Sequence, residues 1–269
     1  MFTLPAVAKV TRDCPANPGE KTIKNVQGVQ LEFETQKNDD YQFGQSCHVT
    51  VRDSAQNVVF SEEDADFSLA MAAGDVNGDG VPDLVLESYS GGAHCCWTYY
   101  VFSLGETPHL IKKFQNERGA GFIRNKVNGQ VDIVTQDGVF DYFDGQCHAC
   151  TTFPTVYLRL EGDQLVDCGA DHTHDYDEVI ANSRKALSAE ERQRFRSVQT
   201  NPYDADDDML TITKKILSIV FAYLYSGREA QAHRALEELW PSSDQQRLWE
   251  LILETRKKGI LSQTRTSPQ

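Results

Sequence analysis

A weak internal repeat constrains this chain more than any other feature. Tyr41-Gln-Phe-Gly44-Gln-Ser-Cys47 and Tyr89-Ser-Gly-Gly92-Ala-His-Cys95 carry Tyr, Gly and Cys at the same offsets. Tyr142-Phe-Asp-Gly145 begins a third copy, in which the cysteines move to Cys147 and Cys150. The copies start 48 and 53 residues apart. Repetition at such a period marks a supersecondary unit that buries its apolar face against its neighbours. Each copy is followed by a strand-like run: His48-Val-Thr-Val-Arg52, Tyr99-Tyr-Val-Phe-Ser103 and Val156-Tyr-Leu-Arg-Leu160. A turn signal comes next, at Ser54–Asn57, Gly105–Pro108 and Glu161–Asp163, and then a further short strand. Short strands separated by Gly, Pro, Asn and Asp read as hairpins. Upstream of each Tyr lies a candidate inner strand, within Gln30–Thr35, Leu84–Ser88 and Ile123–Val134.

In the second unit the inner strand is preceded by Asp75-Val-Asn-Gly-Asp-Gly-Val-Pro-Asp83. Side-chain oxygens stand at positions one, three, five and nine: Asp75, Asn77, Asp79 and Asp83. Gly80 takes position six, where the chain must turn sharply, and the Val81 carbonyl is the backbone oxygen at position seven. Ca²⁺ takes six to eight oxygens at roughly 2.3–2.6 Å, and alternate residues of a tight loop supply them. An EF-hand also needs a Glu at position twelve and flanking helices. Here position twelve is Leu86, Glu87 comes one residue late, and Leu84-Val-Leu-Glu-Ser88 reads as a buried strand. The loop therefore joins strands. The bland alternative is an acidic, Gly-rich turn, but four correctly spaced oxygens and the glycine favour calcium. In the third unit Lys126 and Gln130 stand where ligands would be needed, so that copy is expected to bind none.

An Asp-x-Asx-x-Asp-Gly-x-x-Asp loop followed by Leu-Val resembles the FG-GAP repeat of integrin-type β-propellers and the related VCBS repeats of bacterial surface proteins. The resemblance covers residues 68–87 closely and 20–168 loosely. It implies blade-like units, a calcium ion that stabilises a turn without doing chemistry, and protein or glycan partners at a surface. Three units are fewer than the four to eight blades of a closed propeller. The expected fold class is β + α: an all-β region of three blade-like or sandwich-like units (a partial propeller) over residues 18–170. A polar linker over 171–187 and an α-helical C-terminal region over 188–260 complete the expectation.

Forty Asp plus Glu against twenty-six Lys plus Arg give a net charge of −14. Such a surface repels phosphate backbones, which argues against nucleic acid as a partner. No apolar run approaches the eighteen or more residues of a membrane span. Seven cysteines are many for a reducing compartment, so disulfides and an extracytoplasmic location, periplasmic or secreted, are expected. No complete signal peptide is legible, although Ala6-Val-Ala8 resembles the end of one. His94, Cys95, Cys96, Cys147, His148 and Cys150 leave three readings open: disulfides between repeats, thiols, or a tetrahedral zinc site. Adjacent Cys95 and Cys96 are expected to need separate partners, and an odd count leaves at least one cysteine unpaired within the chain.

Beyond the β region the pattern turns helical. Ser188-Ala-Glu-Glu191 has the form of a capping box, and Asp204–Asp208 precedes an apolar helix over Met209–Tyr225 that Gly227 closes. Acids at a helix N-terminus suit its dipole, so that run needs no metal. Two further helices follow, Arg228–Trp240 and one that Ser243–Gln246 caps and that runs towards Lys258, with Ile216, Val220, Tyr223 and Leu224 in one stripe and Leu248, Leu251 and Ile252 in another.

Two enzymatic alternatives compete with a binding or scaffolding role. One is a metal-dependent hydrolase using His172, His174 and neighbouring acids. The other is a thiol oxidoreductase using Cys147 and Cys150, which have the Cys-x-x-Cys spacing of a redox pair. Strand-like sequence with a proline follows the second motif instead of a helix, which weakens it.

Overall fold

The structure, a computed structural model, describes residues 12–41, 43–92, 96–125, 129–197 and 207–264. Among the described residues twelve strands form three four-stranded sheets, each an antiparallel meander. The first contains β1 (Lys21–Val26), β2 (Val29–Lys37), β3 (Gln45–Arg52) and β4 (Val58–Asp64) in that order. The second contains β5 (Asp66–Gly74), β6 (Asp83–Tyr89), β7 (Trp97–Ser103) and β8 (His109–Asn116). The third, β9 (Gly121–Arg124), β10 (Val131–Gln136), β11 (Thr155–Glu161) and β12 (Gln164–Asp167), repeats the order. All three Tyr-x-x-Gly segments lie at or in the connection between the second and third strands of their sheet, Tyr89 being the last residue of β6. The repeat read from the sequence is therefore a repeat of whole meanders.

The residues divide into two compact units. One runs through Thr135 and includes Leu158–Val166; the other comprises Gln136–Tyr157 and Asp167–Thr264. In the first unit β2 alternates strictly, burying Val29, Leu31 and Phe33. These pack with Val49 and Val51 of β3, Leu84 and Leu86 of β6, and Tyr100 and Phe102 of β7. The opposite face of the second sheet is covered as well, since Tyr99 stacks on Phe114 at 5.0 Å and meets Phe122 edge-on at 5.8 Å. Burial on both faces explains why β6 and β7 are apolar runs and do not alternate. Each fully buried Val, Leu or Phe side chain contributes about 1.5–3 kcal/mol.

The second unit is built on α1 (Thr173–Lys185), α2 (Ala189–Arg196), α3 (Asp207–Tyr225), α4 (Glu229–Leu239) and α5 (Gln245–Arg256). The capping box forms as expected: Ser188 Oγ accepts from Glu191 N, and the Glu191 carboxylate accepts from Ser188 N. Helix α3 buries Ile212, Ile216, Leu217, Ile219, Val220, Phe221 and Leu224, and Gly227 ends it in the left-handed region at φ 78°. Tyr225 Oη donates to buried Asp137 at 2.6 Å, and Ile260 N donates to the same carboxyl at 3.1 Å. Burial pushes the Asp137 carboxyl above its ordinary range, against the pull of these donors.

Two expectations need correction here. The polar stretch 171–187 expected as a linker is mostly helical: a 3-10 turn at Gly169–His172 leads into α1. Only two side chains of α1, Tyr176 and Ile180, are buried. Their spacing of four residues makes one narrow apolar stripe within a polar composition, and Tyr176 Oη also donates to Thr155 O at 2.9 Å. The N-terminus of α5 differs too. Asp244 makes no capping bond; its carboxylate accepts instead from Trp240 Nε1 at 3.1 Å and Arg247 Nε at 2.5 Å. Of the acidic run before α3, Asp207 and Asp208 occupy its first turn, and residues 204–206 lie outside the described residues.

Candidate functional site

The acidic loop connects β5 to β6, with Gly74 opposite Asp83 where the ladder closes. It is buried at two points, Val76 and Asp83, while Gly78, Asp79 and Gly80 are exposed. Gly78 and Gly80 hold φ of 80° and 82°, a region open to glycine without steric cost. Those two residues let the chain fold back over its own acids. Asp75 Oδ1 accepts from Gly78 N at 2.7 Å and Asp79 N at 3.1 Å, and its Oδ2 accepts from Gly80 N at 3.0 Å. Asn77 Oδ1 accepts from Asp79 N at 3.1 Å, and Asp79 Oδ1 from Val81 N at 2.7 Å. Asp83 Oδ2 accepts from Val76 N at 2.7 Å and Asn77 N at 3.2 Å. Gly162 N, from the turn between β11 and β12, donates to Asn77 O at 3.3 Å and braces the loop from outside.

These bonds leave one carboxylate oxygen stranded. Asp83 is 0% exposed, and its Oδ1 is buried without a hydrogen-bond partner. Among the described residues no Lys, Arg or His forms an ion pair with Asp75, Asp79 or Asp83. Burial pushes the Asp83 carboxyl up to about 6, against the bonds from Val76 and Asn77, and the Asp79 and Asp75 charges raise it further. An isolated buried carboxylate is costly unless a cation or donors compensate it. The oxygens of Asp75, Asp79 and Asp83 are not all gathered within 4.8 Å of one another. Backbone N–H groups hold each acid in place instead.

The same connection in the other two sheets shows what the second one lacks. In the first sheet Gln27 and Gly28, with φ of 46° and 85°, join β1 to β2 directly. In the third, Asp132 of β10 is also 0% exposed. There Asp132 Oδ1 accepts from Arg159 Nε at 2.7 Å, and its Oδ2 accepts from Asn125 Nδ2 at 2.7 Å. The third hairpin thus carries an internal cation for its buried acid, and the second has no such pair among the described residues. The sequence reading placed the third copy outside calcium binding on Lys126 and Gln130, and it missed Asp132 and Arg159. An acid and a base 27 residues apart give no local signal, since only strand pairing brings them together. Lys126 lies outside the described residues.

The cysteines form two bridges whose partners are both described. Cys14 joins Cys47 with Cα atoms 5.9 Å apart, and Cys147 joins Cys150 at 4.9 Å. Cys96 is also disulfide-bonded, and Cys168 is a buried thiol. Neither fully described bridge links two repeats, contrary to the expectation. Cys47 sits in the core of the first sheet, and Cys147 and Cys150 close on each other across a 3-10 turn. Zinc binding requires thiolates, which a bonded pair does not supply. His148 Nδ1 lies 2.8 Å from both oxygens of Asp141. His94 and Cys95 lie outside the described residues, and with them the expectation that Cys95 and Cys96 need separate partners. The two histidines of the hydrolase reading do not converge. The His172 side chain is 9% exposed and stacks on Tyr157 at 3.8 Å, whereas that of His174 is 86% exposed beside Glu178.

No family model, curated protein or solved structure matches this chain. Among the described residues no helix is long and apolar enough to cross a membrane.

Proposed function

We propose that the chain is an extracytoplasmic, calcium-stabilised binding or scaffolding module, built from blade-like meanders in the manner of FG-GAP and VCBS repeats. Asp75, Asn77, Asp79, the Val81 carbonyl and Asp83 hold the ion. The observation that carries this reading is the buried, unpartnered Asp83 Oδ1 in a loop with three carboxylates and no paired base among the described residues. Calcium there offsets the mutual repulsion of the acids and the desolvation of Asp83. It ties the start of β6 to the exposed tip of the loop and fixes the β5–β6 register. Two disulfides between described cysteines favour an oxidising compartment. A surface role for protein or glycan recognition is supported by Phe43 and Tyr142, 70% and 54% exposed, which occupy the same connection in the first and third meanders.

The test is thermal unfolding of the oxidised protein in excess Ca²⁺, in Mg²⁺ and in chelator. A ligand that binds only the native state adds about 2.7 kcal/mol at a hundredfold excess over Kd. That corresponds to a rise in Tm of several degrees for a chain of this size. Calcium is expected to raise Tm where Mg²⁺ does not, and Asp79→Ala to abolish the rise. An equal Tm in calcium and chelator would reduce the loop to a turn.

A further inference from the structure

The segment Asp141–Thr152 has features that the calcium reading leaves unused. Its Cys147 is exposed and Cys150 half-buried, and their bridge closes a ring of sequence separation three. The Cys14–Cys47 bridge spans a separation of 33, and Cys47 is 1% exposed in the core. A disulfide at the surface that closes a short ring contributes less to stability than one that closes a long ring, and it is open to attack. The flanks of the exposed bridge are unusual as well. Gln146 is 4% exposed, and neither Gln146 Nε2 nor Oε1 has a hydrogen-bond partner, nor does buried Thr152 Oγ1. Buried polar atoms without protein partners mark sites of strain, of redox or catalytic roles, or of bound water or ions. Tyr142 and Asp144, neither of them glycine, hold φ of 54° and 52°, a strained conformation that clusters at functional loops. The turn is nevertheless tied down from the helices. Arg247 grips Asp144 with two bonds of 2.8 Å, and Lys214 Nζ donates to Ala149 O at 2.9 Å.

We propose that Cys147–Cys150 is a reversible thiol-exchange site for low-molecular-weight thiols, with Cys147 as the sulfur they attack. An external thiolate forms a bond to Cys147 Sγ, the Cys147–Cys150 bond breaks, and its electron pair leaves on Cys150 Sγ as a thiolate. A second external thiolate then attacks the external sulfur of the mixed disulfide and releases Cys147 as a thiolate. Two thiols are oxidised to one disulfide, and their two protons end on Cys147 and Cys150. The reverse sequence re-forms the bridge. The ties from Arg247 and Lys214 keep the turn in place throughout, so opening the bridge leaves the fold intact. Buried Cys168, 5% exposed, takes no part.

The experiment is a native-state titration of the oxidised protein with a glutathione redox buffer, followed by alkylation and peptide mass spectrometry. Cys147 and Cys150 are expected to label together at least tenfold faster than Cys14 and Cys47, with an unchanged far-ultraviolet circular dichroism spectrum. Oxidised glutathione should form a mixed disulfide with Cys150→Ser faster than with Cys147→Ser, because the former retains the exposed sulfur. Equal reduction rates for the two bridges, or reduction only with loss of the spectrum, would overturn the proposal. Equal reactivity of the two variants would overturn the assignment of Cys147.

Discussion

On the proposed reading, Asp83 places opposite demands on the protein with and without calcium. Without the ion its charge is a burden, because Oδ1 is buried with nothing to bond and Asp75 and Asp79 lie in the same loop. Asp83→Asn keeps the shape and removes the charge. It is expected to raise Tm in chelator while erasing the rise that calcium gives; a variant less stable in chelator and still calcium-responsive would remove Asp83 from the ligand set. Asp66 offers a second residue-level test, through pH. Burial raises its carboxyl to about 6, against the pull of Arg12 and a bond from Phe67 N, with Asp13 and Glu87 pushing the same way as burial. A carboxyl raised in the folded state binds its proton more tightly there than in the unfolded chain, where it titrates near 4. Its contribution to stability is therefore largest below about 4 and is lost as pH rises through about 6. In chelator, Asp66→Asn should flatten the fall in stability over that window. An unchanged slope in denaturant midpoints would show that other acids control it.

At the level of elements, the three strand-one to strand-two hairpins solve one problem in different ways. The first is a two-residue turn with no buried acid, the third neutralises Asp132 with Arg159, and the second presents Asp83 with no paired base among the described residues. The chain's own comparison thus argues for a cation at the second hairpin. Removing one member of a buried ion pair costs about 3–5 kcal/mol, because the other charge is left behind, whereas replacing both with apolar or neutral groups is far milder. Arg159→Met is accordingly expected to destabilise severely, and Asp132→Asn with Arg159→Met to recover much of the loss. Denaturant midpoints of the two variants decide it; a double variant no better than the single one would deny the pairing. The hairpins also mark how far pattern reading reached. The Asp75–Asp83 spacing and the strand that follows were legible because they are local. The Asp132–Arg159 pair was not, because the two residues are joined only through the pairing of β10 with β11.

Across the whole molecule, stability rests on two packed units and on covalent ties of unequal weight. In the chain-entropy account the Cys14–Cys47 bridge stabilises by about 4 kcal/mol and the Cys147–Cys150 bridge by about 2 kcal/mol, since the closed loops differ in length. Replacing the first pair with serine should therefore lower the denaturant midpoint clearly more than replacing the second; equal losses would contradict that account. By itself the sequence determined three strand-rich units with their closing hairpin turns, the position of the acidic loop and the helices over 188–260. All of these rest on periodicity and spacing within short windows. Tertiary structure alone decided that 171–187 is helical, because one narrow stripe of Tyr176 and Ile180 finds an apolar surface despite its polar neighbours. It also decided that Cys14 reaches Cys47 across a separation of 33, and that Asp83 is buried with one oxygen unpaired. Those outcomes depend on which distant residues come within a few ångströms of each other, and no window of sequence contains that information.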